Sequence, residues 1–237
     1  MKNIKISLII PCFNEQECLP LVIPPLFDVF NQYAWEVEVI LVNNGSTDLT
    51  NQIISQLQKI YPQIIQVNLS INQLYGGGVQ AGLKLATGDI IGHMCADGQI
   101  SAVEVSNILM QAIELYPLHS CFVAKAKRIH HHNLGLRNLS SMLWKNLFST
   151  LFGRVCSDVN ATPKFYSRKL LDKMIFKTQG DFFDAELMVQ AKSWQSKIVE
   201  IHTHFYPRIA GQSKVGKKFI QHSFNFIWDA LKFKWNT

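Results

Sequence analysis

The sequence predicts an α/β fold in which a mostly parallel central sheet is flanked by helices and followed by a C-terminal amphipathic helix. Short apolar runs alternate with stretches of helical periodicity through the first 126 residues, and such alternation implies parallel strands joined by right-handed crossovers. The first run, residues 4–10, is nearly continuous in apolar residues, as expected where helices cover both faces of a sheet. Polar loops follow the runs, and in open α/β sheets the loops at the strands' carboxyl ends converge on the crevice where ligands bind.

The first strand is closed by Pro11, and Pro11-Cys-Phe-Asn-Glu15 turns the chain into a helix expected to reach about Tyr33. Pro20, Pro24 and Pro25 restrict where that helix starts and can split it. Residues 37–42 read as the second strand, ending in Asn43-Asn44-Gly45-Ser46-Thr47-Asp48. There Gly45 permits a tight turn, and Ser46 or Thr47 is placed to cap the next helix. That helix ends near Tyr61 and carries Ile53, Ile54, Leu57 and Ile60 at helical spacing. A third strand spans 64–69, and Tyr75-Gly-Gly-Gly-Val-Gln-Ala-Gly82 opens a helix to about Ala86. Adjacent glycines let backbone N–H groups come close to whatever lies above the turn, and a helix N-terminus favours an anion there. A flexible connector is the plainer alternative.

Residues 89–95 form the buried strand that leads into His93-Met-Cys-Ala-Asp-Gly-Gln-Ile-Ser101, the stretch on which the functional reading centres. Ser101 suits a helix cap, with Glu104 in the following turn. Asp97 and Gln99 therefore sit at a strand's carboxyl end. An acid two residues from an amide oxygen suits a hard divalent cation shared with a phosphorylated ligand, a bare Asp97-Gly98 turn being the bland reading. A fifth strand is expected over 119–125.

Beyond Lys125 the pattern changes. Lys125, Lys127, Arg128, His130-His131-His132 and Arg137 make a basic loop, followed by an amphipathic helix over about 136–152. Neighbouring histidines on a loop rarely converge on one centre, so a solvated or anion-contacting loop is preferred to a metal site. Residues 158–166 pass from polar to apolar as a strand, 182–194 form a helix containing Asp184 and Glu186, and 197–205 form a late strand. The loop 207–215 carries Arg208 and Lys214 around Gly211, a shape suited to closing over phosphates. Residues 216–237 alternate aromatics with Lys217, Lys218, Lys232 and Lys234. Such a helix either lies in a membrane interface or braces the domain.

Bulk properties bound the partners. A chain of 237 residues fits one domain over 1–215 with the 216–237 helix as an extension, and 48% hydrophobic with 17% charged residues argues against disorder. A net charge of +6 favours phosphate-bearing partners or an anionic membrane surface. The five cysteines (Cys12, Cys18, Cys95, Cys121 and Cys156) are odd in number, widely spaced and free of Cys-x-x-Cys pairs. That argues against a disulfide framework or a zinc knuckle and fits a reducing cytoplasm. The apolar core of the N-terminus is too short for a signal peptide, and no run of about 18 apolar residues is present. A cytoplasmic chain, soluble or peripheral on the inner face of the membrane, is expected.

In order and spacing, five segments resemble the glycosyltransferase family 2 enzymes of the GT-A (Rossmann-like) fold. They are Pro11-Cys-Phe-Asn-Glu15, Val42-Asn-Asn-Gly-Ser-Thr-Asp48, the Gly76 to Gly82 turn, Ala96-Asp-Gly-Gln99 and Arg208-x-x-Gly-x-Ser-Lys214. The likeness is greatest to the polyprenyl-phosphate (dolichol-phosphate mannose type) synthases and their bacterial relatives, and it covers about residues 4–216. The resemblance implies a nucleotide-sugar donor, a Mg or Mn ion on its diphosphate, and a polyprenyl phosphate or glycan acceptor, with no nucleic acid; it leaves room for a homodimer.

By the same resemblance, Glu15 and Asn44 face the nucleoside, with Pro11, Phe13 and Asn43 in the same motifs, and Gly76 and Gly77 of the glycine turn also belong to the donor site. Asp97 and Gln99 hold the metal, while Arg208, Ser213 and Lys214 contact phosphates. Asp158, Pro163 and Lys164 match a segment lining the sugar and acceptor side, and Glu186 matches a helix acid near the reaction centre.

Two departures stand out. Asn43-Asn44 replaces paired acids, and Cys95-Ala-Asp97 replaces an Asp-x-Asp. Asn44 can still accept a hydrogen bond from a base N–H, whereas Cys95 is a soft ligand poorly matched to Mg. Asp97 is left as the one strong carboxylate, which suffices for a cation held largely by substrate phosphates and water.

Glycosyl transfer builds negative charge on the leaving diphosphate, which metal, helix N-terminus and cations stabilise. A lipid phosphate acceptor is already ionised, whereas a sugar hydroxyl needs Asp184 or Glu186 as base. The expected course is direct displacement with inversion. The rival from another class is a degenerate relative that binds a nucleotide sugar or lipid phosphate without turnover. A sugar-phosphate nucleotidylyltransferase fits less well, because no Gly-rich loop with Arg and Lys follows the first strand.

Overall fold

The computed structural model describes residues 4–129, 148–211 and 219–235, with side chains from 226 onward in the last stretch. Lys5–Cys12 (β1), Glu36–Asn44 (β2), Ile64–Leu69 (β3) and Ile90–His93 (β4) alternate with Leu19–Gln32 (α1), Thr50–Ile60 (α2), Leu74–Leu83 (α3) and Ala102–Leu115 (α4). Phe122–Arg128 (β5), Lys164–Ser167 (β6), Arg168–Leu171 (α5), Phe183–Ser193 (α6), Lys197–Thr203 (β7) and Phe219–Trp235 (α7) complete the order. The expected alternation is present, with edges displaced by a few residues.

Seven strands form one sheet in the order β3-β2-β1-β4-β6-β5-β7. β1 pairs parallel with β2 and β4, β2 with β3, and β5 with β7. β6 is inserted between β4 and β5 and runs antiparallel to both. One reversed strand thus joins a parallel set, and its first residue, Lys164, lies beside the last residue of β4, His93.

Local chemistry explains where several elements depart from expectation. β1 continues through Pro11 because the Ile9 carbonyl already accepts the Met94 N–H at the end of β4. Pro11, two residues on, turns its missing donor to the same side, past that end, so no ladder bond is lost. Pro24 and Pro25 lie inside α1 without splitting it. Leu19, Val22, Ile23, Leu26, Phe27 and Phe30 are all buried from this helix, and their burial outweighs the missing bonds. Ser46 and Thr47 do not cap α2. Ser46 Oγ instead accepts the Asn14 N–H, and Asp48 Oδ1 accepts the Thr50 N–H at 3.0 Å. Ser101 caps α4 as expected, accepting the Glu104 N–H at 3.3 Å.

Helices α1, α2 and α4 cover one face of the sheet around Leu8, Ile10 and Leu41. Helices α3, α5 and α6 cover the other around Ile9, Val42 and Tyr166. A third cluster joins Phe148 to Phe182 and Ala185 of the α6 region and to Ala230 and Phe233 of α7. Of the expected basic loop, Lys125, Lys127 and Arg128 lie on β5 instead, Lys125 fully buried, and His130, His131, His132 and Arg137 lie outside the described residues; of the helix that follows, residues 148–152 are described and helical. No helix among the described residues is long and apolar enough to cross a membrane.

Candidate functional site

The loops after β1 and β2 are stitched together at the carboxyl edge of the sheet. Asn14, at φ 54°, donates its N–H to Ser46 Oγ at 3.0 Å and accepts the Thr47 N–H at 2.8 Å. Glu15 donates its N–H to Thr50 Oγ1 at 2.7 Å, and Gln16 Oε1 accepts the Leu49 N–H at 2.9 Å. This lattice fixes the backbone of the Glu15 loop and turns its carboxylate toward Arg208, with which it forms an ion pair.

Arg208 belongs to a strap, residues 205–210, laid over the loop after β4. Tyr206 and Gln99 exchange two bonds: the Tyr206 N–H meets the Gln99 carbonyl at 2.9 Å, and Gln99 Nε2 donates to the Tyr206 carbonyl at 3.2 Å. The Ile209 N–H reaches the Asp97 carbonyl at 3.1 Å. Gly98, at φ +69°, lets the strap come this close, since a Cβ there would stand 2.6 Å from Ile209 Cγ2. Beneath the strap is a cleft lined by Cys95, Asp97, Gln99, Thr162 and Phe205 among others.

Asp97 is half-buried in this cleft, and its Oδ1 accepts the Gln99 N–H at 3.1 Å. Desolvation raises its pKa, opposed by that amide and by the charge of Arg208. Burial, then the charges of Asp97 and Asp184, push the Cys95 thiol up to about 12. It is a neutral thiol at neutral pH, and metal ligation needs the thiolate. Asp97 is therefore the one carboxylate of the cleft, and no group of three metal-ligating side chains occurs among the described residues.

Behind Cys95 lies a charged network buried on the α3 and α6 face. The pairing of β4, β6, β5 and β7 aligns His93, Lys164, Lys125 and Glu200 in one row across the sheet. Directly paired residues share a face, so all four point to the same side. Asp184, near the start of α6, accepts from His93 Nε2 at 2.9 Å and forms an ion pair with Lys164 Nζ. Burial lowers the His93 pKa, so the ring is neutral, with the Nε2 proton donated to Asp184 and Nδ1 facing the Tyr166 hydroxyl at 3.4 Å. Burial alone would raise the Asp184 pKa, yet Lys164 and then His93 hold it below the ordinary carboxylate value. Lys125 Nζ is fully buried and donates to the Ala126 and Asp158 carbonyls at 2.5 Å each, with Glu200 at 3.5 Å.

The structure thus sets Asp97 and Gln99 in one cleft, with the strap's Arg208, paired to Glu15, beside it and Lys164 and Asp184 behind it. Other expected residues are engaged elsewhere. Asn44 Oδ1 accepts the Gln73 N–H at 2.9 Å and its Nδ2 donates to the Leu74 carbonyl at 2.8 Å, so its amide anchors the turn before α3. Asn43 holds Asn68 at 3.2 Å and the Ser46 N–H at 3.2 Å. Pro11 packs with Asn44 where α3 approaches, both within 3.0 Å of a Cβ placed on Gly78, and Phe13 is half-buried on the Glu15 loop.

What lies above the glycine turn is the chain itself. The Gly77 N–H donates to the Gln179 carbonyl at 2.9 Å, and a Cβ on Gly76 would stand 2.7 Å from Phe183 Cβ. The expected anion site at Gly76 and Gly77 is therefore a packing contact instead. Glu186 is fully buried, its oxygens accepting the Lys177 and Thr178 N–H groups at 2.8 and 2.9 Å. It faces away from Asp184 because residues two apart on a helix point in different directions. Asp158 is paired with Arg128 through two bonds of 2.8 Å, and despite burial that pairing lowers its pKa strongly. Ser213 and Lys214 lie outside the described residues.

Sequence reasoning gave His93 no role and set Lys125 in a basic loop, whereas it is buried on β5. A histidine closing an otherwise apolar run was the available signal, but its partner sits 91 residues away.

The chain shares its fold with solved GT-A proteins. Glucosyl-3-phosphoglycerate synthase from Mycobacterium tuberculosis, in complex with Mn2+, uridine diphosphate and phosphoglyceric acid, superposes with a TM-score of 0.70 at 17% identity, covering 98% of this chain and 78% of that one. The same synthase with Mn2+ and uridine-diphosphate-glucose gives 0.69 at 16% identity, over 96% and 79%. The class is thus a GT-A α/β protein with its cleft at the carboxyl edge of the sheet. The model of glycosyl transferase family 2 matches residues 7–175, and the chain belongs to that family. Among curated relatives, the undecaprenyl-phosphate 4-deoxy-4-formamido-L-arabinose transferase of Enterobacter sp. (strain 638) is 27% identical over 211 residues, 89% of this chain and 62% of that protein. The enzyme of that name from Photorhabdus laumondii subsp. laumondii is 26% identical over 229 residues, 96% and 67% respectively. The chain spans roughly three fifths to two thirds of the length of these relatives.

Proposed function

We propose that the chain transfers a sugar from a nucleoside-diphosphate donor to a polyprenyl phosphate, with inversion and with help from a divalent cation. The observation that carries this reading is Asp97 in the cleft under the strap, where the Ile209 N–H meets the Asp97 carbonyl at 3.1 Å and the neighbouring Arg208 pairs with Glu15. A carboxylate and a guanidinium at the carboxyl edge of a parallel sheet are complementary to a cation and a diphosphate, respectively. The printed names of the relatives, which act on undecaprenyl phosphate, and the Mn2+ and uridine diphosphate of the mycobacterial synthase point the same way.

Asp97 fits a hard cation of the Mg or Mn kind, with Gln99 beside it, because one desolvated carboxylate is enough where phosphates and water supply the other ligands. Such a cation, when bound, neutralises charge on the departing diphosphate. In this reading Arg208 adds to that neutralisation, Glu15 accepts hydrogen bonds from the nucleoside, and Ser213 and Lys214, outside the described residues, are assigned to the phosphates.

Two carboxylates support an ionised acceptor. Asp184 is held ionised by Lys164 and His93 in a buried network, and both oxygens of Glu186 are occupied by backbone amides. A carboxylate stabilised in its charged form is a weak base, so an acceptor that arrives ionised suits this site better than a sugar hydroxyl. A lipid-borne phosphate also implies work at the inner face of a membrane.

The test is transfer from UDP-, GDP- and dTDP-sugars to a short polyprenyl phosphate with Mn or Mg, with the product's anomeric configuration read by NMR. Transfer with inverted configuration supports the reading; retention overturns the displacement. The neutral Cys95 favours a second reading, binding without turnover, whose signature is a donor-dependent rise in melting temperature with no transfer or donor hydrolysis.

A further inference from the structure

The strap seats on the loop after β4 at two residues. The Tyr206 N–H meets the Gln99 carbonyl at 2.9 Å, Gln99 Nε2 donates to the Tyr206 carbonyl at 3.2 Å, and the Ile209 N–H meets the Asp97 carbonyl at 3.1 Å. Asp97 and Gln99 both line the cleft, and they are also the residues that the cation reading assigns to the metal. Gly98, between them, lies under Ile209. Tyr206 and Ile209 are about half exposed, so these three bonds carry a good part of the strap's attachment at this end. At its far end Arg208 pairs with Glu15, and the Cys18 thiol, where α1 begins, donates to the Ala210 carbonyl at 3.2 Å.

The two ends of the Gln99 amide suit different partners. A backbone carbonyl only accepts, so Tyr206 fixes the amide with its nitrogen toward the strap and leaves the oxygen as the end a hard cation can use. Gln99 is half-buried, and ordering a glutamine side chain costs much of its rotamer freedom. One ordered side chain serves both contacts. Whichever contact forms first therefore spares the second that loss, which makes the two cooperative.

We propose that Gln99 couples the cation to the strap: a cation on Asp97 and the Gln99 oxygen makes residues 205–210 open less often, and the seated strap raises the affinity for the cation in return. Linkage requires the effect to be reciprocal. The proposal rests on the reading of Asp97 and Gln99 as the cation site and adds a control on that site. Because Arg208 rides on the strap, the cation also steadies the guanidinium assigned to the diphosphate.

The experiment is hydrogen exchange by mass spectrometry on the full chain with Mn2+, inorganic pyrophosphate, both or neither, pyrophosphate standing in for a nucleotide of any base. The reporters are the Tyr206 and Ile209 amides, whose N–H groups make the bonds to Gln99 and Asp97. Mn2+ with pyrophosphate should slow them about fivefold beyond pyrophosphate alone, with β3 at the far edge of the sheet unaffected. Gln99→Glu keeps an oxygen ligand and removes the N–H donor. It should bind Mn2+ with pyrophosphate at least as tightly in titration calorimetry, yet lose the added slowing. Equal slowing with and without Mn2+ overturns the proposal, as does slowing spread evenly into β3 or retained in full by Gln99→Glu. The wild-type comparison decides alone if that variant misfolds. Slowed strap amides without sugar transfer would sink the catalytic reading and leave this one standing; Mn-dependent transfer with strap amides indifferent to Mn2+ would do the reverse.

Discussion

Replacing Lys164 with Met strips the positive charge from a carboxylate that has almost no access to water. Lys164 is fully buried and Asp184 is 5% exposed, so the variant leaves Asp184 with the neutral His93 donor in place of a full ion pair. Breaking a buried pair from one side costs about 3–5 kcal/mol, because the remaining charge keeps its desolvation penalty and loses its compensation. For a chain of this size each kcal/mol moves the melting temperature by about 2–4 °C, so a fall on the order of 10 °C is expected in differential scanning calorimetry.

The sign of the pH dependence follows from the same pair. The folded pKa of Asp184 is lowered, so its contribution is present above the unfolded value near ~3.9 and is lost as pH falls through the folded one. Without Lys164 the folded pKa rises, and acid destabilisation gives way to neutralisation of the acid. Asp184→Asn in the Lys164→Met background should recover much of the loss, since no uncompensated charge is left. A single variant costing less than about 1 kcal/mol, or a double variant no better than the single, would refute the electrostatic account of this network.

Three other perturbations probe separate links. Asp97→Asn should lower transfer by about a hundredfold or more with little change in melting temperature, because a half-exposed carboxylate contributes charge to catalysis rather than packing; initial rates across a Mn titration measure it. Gly76→Ala should cost about 1–3 kcal/mol in urea unfolding, since the new methyl would stand 2.7 Å from Phe183 Cβ and 2.9 Å from the Gln179 and Gly180 carbonyls. His93 is buried with a lowered pKa, so its neutral form stabilises the fold above its unfolded value near ~6.5 and that contribution is lost as pH falls; His93→Gln should flatten the wild-type stability profile below pH ~6.5.

The alternation of apolar runs and helical stretches made the first half of the sheet legible, because burial on both faces writes itself as continuous apolar residues and β1, β2 and β3 each pair with the strand next in sequence. β6 was read as a strand but not as a reversed one, since direction is set by which strands it lies between, and no local pattern records that. Asp97 and Arg208 were singled out from turn residues around glycines, and the structure brings their loops together through the Ile209 N–H on the Asp97 carbonyl. Asn44 and Gly77 were read toward a ligand because an amide and a backbone N–H look alike in sequence whether they serve a ligand or the chain; Leu74 and Gln179 engage them here. Glu186 was paired in sequence with Asp184, yet helix geometry sends the two in different directions. His93 escaped notice because its partners come from β6 and α6, far along the chain.

A strand dropped backwards into a parallel sheet delivers its opening residue, not its closing one, to the ligand edge. Lys164 therefore arrives at the cleft directly from a loop, while His93 arrives at the end of a strand held by β1. Two strands running in opposite directions thereby bring an ammonium and an imidazole side by side onto the Asp184 carboxylate, behind the cleft.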